Sequence, residues 1–178
     1  MILPLLGRVL VATAITISTT ATINHPSYAG SKSKFSCTKL NGIPVTMVKT
    51  SRGNEPMIRW VDRGFISSGY TPQERCQTVS TKFQRYYDNG KLYLTGRDNL
   101  NGYPVLCIAN RQGASCSPEN VLVTLKPGTD PGAALQQILD FRRSAKTPPV
   151  ELSGSQSVSY VDGNFYLDLK QIVDTADN

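Results

Sequence analysis

The side chains best equipped for chemistry gather between Arg59 and Arg97: Arg59, Trp60, Arg63, Tyr70, Arg75, Lys82, Arg85 and Arg97. Guanidinium and ammonium groups at that density suit an anion-binding surface, because their donors match carboxylate, phosphate and sulfate oxygens. Trp60 is the only tryptophan. With Tyr70 it offers a flat apolar contact beside the cations, against the plainer role of a core or strand-end residue. Partners that fit are an acidic protein, an anionic lipid surface, with peripheral membrane association, or a polyanionic glycan. The competing account is an ordinary solvated face.

Catalytic chemistry is harder to assemble. The only histidine is His25, and it falls in a segment read below as a removable leader. The remaining chain then has no Ser-His-Asp triad and no imidazole ligand, and it lacks the commonest general acid–base group near neutral pH. Asp62, Glu74, Asp98 and Asp162 are the carboxylates from which a glycan-hydrolysing pair would have to come, with Trp60 and Tyr70 as a sugar platform. Their spacing brings no two of them together. For Glu74 and Arg75 the simpler role is helix capping and local pairing. No Gly-rich phosphate loop, Cys-x-x-Cys pair or other metal motif occurs, so neither metal nor cofactor is expected, and the chain is not expected to be an enzyme.

Residues 1–29 have the form of a secretory signal. The start is weakly cationic, Val9–Ile17 is apolar apart from threonine, and small residues flank a cleavage point after Ala29. The apolar run is short of the ~20 residues a spanning helix needs. The segment carries Arg8 and no acid, so removing it leaves 18 Lys/Arg against 13 Asp/Glu, a net charge of +5. Export into the periplasm or thylakoid lumen follows, and nucleic acid is not expected as a partner. Cys37, Cys76, Cys107 and Cys116 all lie beyond Ala29. An even cysteine count in an exported chain reads as two disulfides. Of the three connectivities, we favour Cys107–Cys116, closing a short loop, and Cys37–Cys76, tying the first strand to a helix start.

That helix is the element on which the cations depend. Thr71 is an N-cap, Pro72 suits the first helical position, Glu74 completes a capping box and Gly90 is a natural stop. The pattern predicts a helix from about Pro72 to Asn89. Cys76, Val79, Phe83, Tyr86 and Tyr87 form its buried stripe, with Arg75, Lys82 and Arg85 on a neighbouring face. Strands are expected over Phe35–Thr38, Val45–Thr50, Pro56–Val61, Lys91–Thr95, Tyr103–Ala109, Val121–Leu125 and, around an Asp162-Gly163 turn, Val158–Leu169. Gly96–Gly102 reads as a polar loop. Asp130 and Pro131 open a second helix with Ala134, Leu135, Ile138, Leu139 and Phe141 on its apolar side and Arg142 and Arg143 at its C-terminal end. Lys146–Gln156 reads as a linker and Lys170–Asn178 as a frayed polar end. The expected fold class is α+β: a mainly antiparallel sheet, two helices packed on one face, and two disulfides. The organisation is a signal at 1–29, one domain over 30–145, and 146–178 as a linker plus a C-terminal strand segment of the same domain.

The run Gly69-Tyr70-Thr71-Pro72-Gln73-Glu74-Arg75-Cys76, continuing through Gln77–Ser80 and Lys82–Gln84, resembles a cyanobacterial family named after a circadian oscillating protein. Ile58-Arg59-Trp60, Asn101–Cys107 and Val123–Gly128 extend the resemblance in the expected order, over about Phe35–Arg143. The resemblance implies export, allows for membrane association and carries rhythmic expression in at least one relative. It implies no established activity and no catalytic residues. A purely structural envelope role therefore stands beside binding.

Overall fold

The structure is a computed structural model that describes residues 33–62, 70–140 and 157–177. Its longest helix, α1 (Pro72–Asp88), starts as the local sequence requires. The Glu74 amide donates to the Thr71 hydroxyl at 3.2 Å, and the Thr71 amide donates back to the Glu74 carboxylate at 2.8 Å. This reciprocal bonding satisfies two amides of the first turn that the helix cannot satisfy itself. Gly90 ends the helix at φ +79°, a backbone state open to a residue without Cβ.

Strands β1 (Phe35–Leu40), β2 (Ile43–Thr50) and β3 (Gly53–Arg59) form one antiparallel sheet in that order. Strands β4 (Tyr93–Leu100), β5 (Tyr103–Ala109), β6 (Val121–Thr124), β7 (Val158–Val161) and β8 (Asn164–Asp168) form a second. Its order is β6-β5-β4-β8-β7, so among the described residues β6 is an edge strand. Asn41-Gly42, Asn101-Gly102 and Asp162-Gly163 turn three hairpins, each with both residues at positive φ. That geometry matches the twist of the strands it joins.

Helix α1 packs on β1 and β2 and reaches β6; α2 (Pro131–Leu139) packs on β4 and β5. A third helix, α3 (Leu169–Thr175), packs on both β2 and β4. One core joins the two sheets through Phe35, Phe83, Leu94, Ile108, Leu135, Leu167 and Ile172. The Phe35 and Phe83 rings meet at 5.2 Å between centroids. The disulfides are Cys37–Cys76, from β1 to α1, and Cys107–Cys116, from β5 into the following loop.

The α+β class, the antiparallel strands and both disulfide pairings are therefore present, with three differences from the sequence reading. The strands form two sheets rather than one. Of the expected frayed end, Asn178 lies outside the described residues and Lys170–Asp177 is not frayed: Asp168 caps α3 by accepting from the Gln171 amide at 2.9 Å, and Leu169, Ile172 and Val173 are buried. The described residues thus hold three α-helices where two were expected. Gly96–Leu100 is not loop but the second half of β4, paired to β5. Gly96 is needed there because a Cβ would stand 2.5 Å from the Pro131 Cβ, where α2 begins. The Pro131 helix starts as expected, with Asp130 accepting from the Gly132 amide at 2.7 Å. Phe141, Arg142, Arg143, the 146–156 linker and the 1–29 signal lie outside the described residues. The 157–168 segment builds β7 and β8 into the second sheet beside β4.

Candidate functional site

The floor of the site is set by a buried polar chain. Alternation along β2 turns Thr46 inward, where it is fully buried. Its hydroxyl accepts from the Trp60 indole N–H at 3.0 Å and from the Ser80 hydroxyl at 3.1 Å. Strand β2, the residue after β3 and the middle of α1 are thereby joined, and the indole is held in one orientation. Trp60 is only 5% exposed. The Arg75 guanidinium lies over its ring, 4.9 Å from the centroid, a cation–π contact.

Above this floor, α1 and β6 face each other across a cleft of about 560 Å³. Arg75, Thr78, Val79 and Lys82 supply the α1 wall, one or two turns apart as helical spacing dictates. Val121–Thr124 supply the β6 wall, with Tyr70 and Tyr103 also lining the cleft. Both tyrosines are exposed, at 59% and 45%. Lys82 spans the cleft, donating from Nζ to the Val121 carbonyl at 2.8 Å. An ammonium has three donors, so this bond leaves capacity for a ligand. Beside the cleft, Asp62 pairs with Lys126 at 3.1 Å and also acts on Arg75.

Burial draws the Arg75 guanidinium below its ordinary pKa, with Asp62 opposing. Burial, then the nearby Arg85 charge, draws Lys82 down as well. Both are cations held partly out of bulk water, where attraction to an incoming anion is less screened.

Of the residues singled out from the sequence, the structure brings together Trp60, Tyr70, Arg75 and Lys82. Arg59 is exposed at the end of β3 and does not line the cleft. Arg85 lies over the Tyr86 ring at 5.4 Å, in a separate depression with Asn89 and Asn110. Arg97 donates to the Cys116 carbonyl at 3.2 Å. Arg63 lies outside the described residues. Trp60 is a covered floor rather than an open platform; the exposed rings belong to Tyr70 and Tyr103. Sequence reasoning missed Thr46, Thr78, Tyr103 and the β6 wall. The four carboxylates sit on four separate elements: Asp62 after β3, Glu74 in the first turn of α1, Asp98 on β4 and Asp162 in the β7–β8 turn. Among the described residues no cluster of three or more His, Cys, Asp or Glu could hold a metal ion.

The family model for circadian oscillating protein COP23 matches residues 34–174. The chain belongs to that family. The match runs from the residue before β1 into α3, so it contains both disulfides and both walls of the cleft. Searches of curated proteins and of solved structures found no match. Two disulfides in this COP23-family chain fit an oxidising, extracytoplasmic location. No helix among the described residues is long and apolar enough to cross a membrane.

Proposed function

We propose that this COP23-family protein is an exported binding module that works at a membrane or envelope surface and holds an anionic partner in the α1–β6 cleft. The observation that carries the reading is the convergence of Arg75 and Lys82, both partly desolvated, on one concave site with aromatic lining. Residues 1–29 direct the chain to the periplasm or thylakoid lumen and are removed after Ala29. The protein is not an enzyme and uses no cofactor or metal. A carboxylate-dependent glycan hydrolase has less support: Asp62 faces Lys126, Glu74 is engaged in the capping box, and the Trp60 face that would stack on sugar is covered by Arg75.

The test is the distribution of the native protein between membrane and soluble fractions, before and after a salt wash, for wild type and R75Q/K82Q. At about 1 M salt the screening length falls to roughly 3 Å. Wild type is expected in the membrane fraction and released by the wash, with the double variant soluble from the start. A wild-type protein that is soluble throughout, or that resists the wash, contradicts electrostatic attachment through the cleft.

A further inference from the structure

We propose that the cleft takes an extended acidic polypeptide segment, which adds to β6 as a further strand. This deepens the anion-binding reading and rests on it. Strand β6 is the outermost strand of its sheet among the described residues. The Leu125 amide donates to the Pro104 carbonyl at 2.9 Å, and Leu106 is registered with Val123. Antiparallel alternation therefore turns the N–H and C=O of Thr124, which stands opposite Val105, away from β5. Thr124 also lines the cleft, and this outward donor–acceptor pair would be the ligand's pairing edge.

The other sheet edges are less suited. Strand β1 carries Lys39, and β3 carries Pro56 and Arg59, residues that discourage edge pairing. Strand β7 does not line the α1–β6 cleft. Beside β6, a chain in the cleft would have its backbone on Thr124 and alternate side chains directed at α1, which contributes Arg75 and Lys82 to the cleft wall. Acidic residues at those alternate positions match the charge. The balance of Arg75, Lys82 and Lys126 against Asp62 leaves the cleft positive. Main-chain bonds supply a length requirement that a lipid headgroup or a sulfated sugar does not have. The short β6, bounded by Pro118 and Pro127, limits the pairing to a few residues.

The experiment uses the isotope-labelled mature protein, an octapeptide alternating glutamate with valine, the same peptide N-methylated on the paired edge, and phosphatidylglycerol vesicles. We expect the peptide to shift the amide signals of Val121–Leu125 and to slow hydrogen exchange at Thr124. N-methylation is expected to weaken binding roughly tenfold, the loss from one or two backbone hydrogen bonds. Thr124→Pro removes the outward donor and should do the same, while R75Q/K82Q abolishes binding of every anionic probe. The methylated peptide keeps the test decisive if Thr124→Pro fails to fold. Equal binding of the two peptides, or vesicle binding without peptide binding, overturns strand addition and leaves the anion cleft standing. If no anionic probe binds, both fail.

Discussion

The Trp60 indole N–H donates to the Thr46 hydroxyl at 3.0 Å, and the strength of that anchor can be measured. Thr46→Val preserves the shape of a fully buried side chain and deletes the acceptor shared by the Trp60 indole and the Ser80 hydroxyl. Ser80 lies within α1, so its hydroxyl can turn to a carbonyl one turn earlier and recover a partner. The indole N–H is fixed by its ring and has no such freedom. One buried donor is left unsatisfied, which costs about 1–3 kcal/mol. Trp60→Phe removes that donor while keeping a ring beneath Arg75. If the bond is the anchor, the second substitution deletes a group the first has already orphaned. The double variant T46V/W60F should then be less destabilised than the sum of the singles by about 1 kcal/mol or more. Urea unfolding of the disulfide-bonded mature protein, followed by far-ultraviolet circular dichroism so that loss of the tryptophan does not matter, gives all four corners of the cycle. Additivity within about 0.5 kcal/mol, the range of independent sites, would refute the anchor and with it the fixed floor of the cleft.

The two disulfides should differ in worth. By loop closure, Cys37–Cys76, with a separation of 39, should contribute about 4 kcal/mol and Cys107–Cys116, with a separation of 9, roughly 2.6 kcal/mol; unfolding of the paired Cys→Ala variants tests that order. Burial first, then the hydrogen bond to Asp174 at 2.6 Å and the charges of Asp174, Asp177 and Asp88, hold the Tyr87 phenol well above its ordinary pKa of 10.0. The folded protein keeps this proton where the unfolded chain gives it up. The contribution is therefore fully present below pH 10.0 and lost as pH rises beyond it, so the alkaline fall in stability should be shallower in Tyr87→Phe than in wild type. Ile172→Ala, in the fully buried face of α3, should cost about 2–5 kcal/mol; a loss of unfolding free energy below about 0.5 kcal/mol in urea titration would mean that α3 is not part of the core.

What could be read from the sequence was what is encoded locally. Thr71, Pro72, Glu74 and Gly90 fix α1 through backbone groups within a turn of themselves, and the Asn-Gly and Asp-Gly pairs fix hairpins in the same way. Helix α3 was hidden because its apolar face is three residues in one short element, Leu169, Ile172 and Val173, surrounded by Lys170, Gln171 and Asp174. The second half of β4 was hidden because Gly96-Arg97-Asp98-Asn99 has the composition of a loop; pairing with β5 and the close approach of Pro131 decide its conformation. The cleft divides along the same line. Trp60, Tyr70, Arg75 and Lys82 lie near one another in sequence and were found together. Tyr103 and Val121–Thr124 belong to the other sheet and meet α1 only through the tertiary fold. Arg59 and Arg85 share the local charge pattern, but their side chains lie outside the cleft.

Trp60 is the chain's only tryptophan and lies directly under Arg75, so its fluorescence reports on this site alone. Titrating the mature protein with polyglutamate, phosphatidylglycerol vesicles and a sulfated polysaccharide, for wild type and R75Q/K82Q, tests the cleft as an anion site most directly. A saturable change in Trp60 emission with at least one probe, weakened by salt and absent in the double variant, is the predicted result. An unchanged emission with all three, or a change of equal affinity in R75Q/K82Q, would contradict the assignment of the cleft.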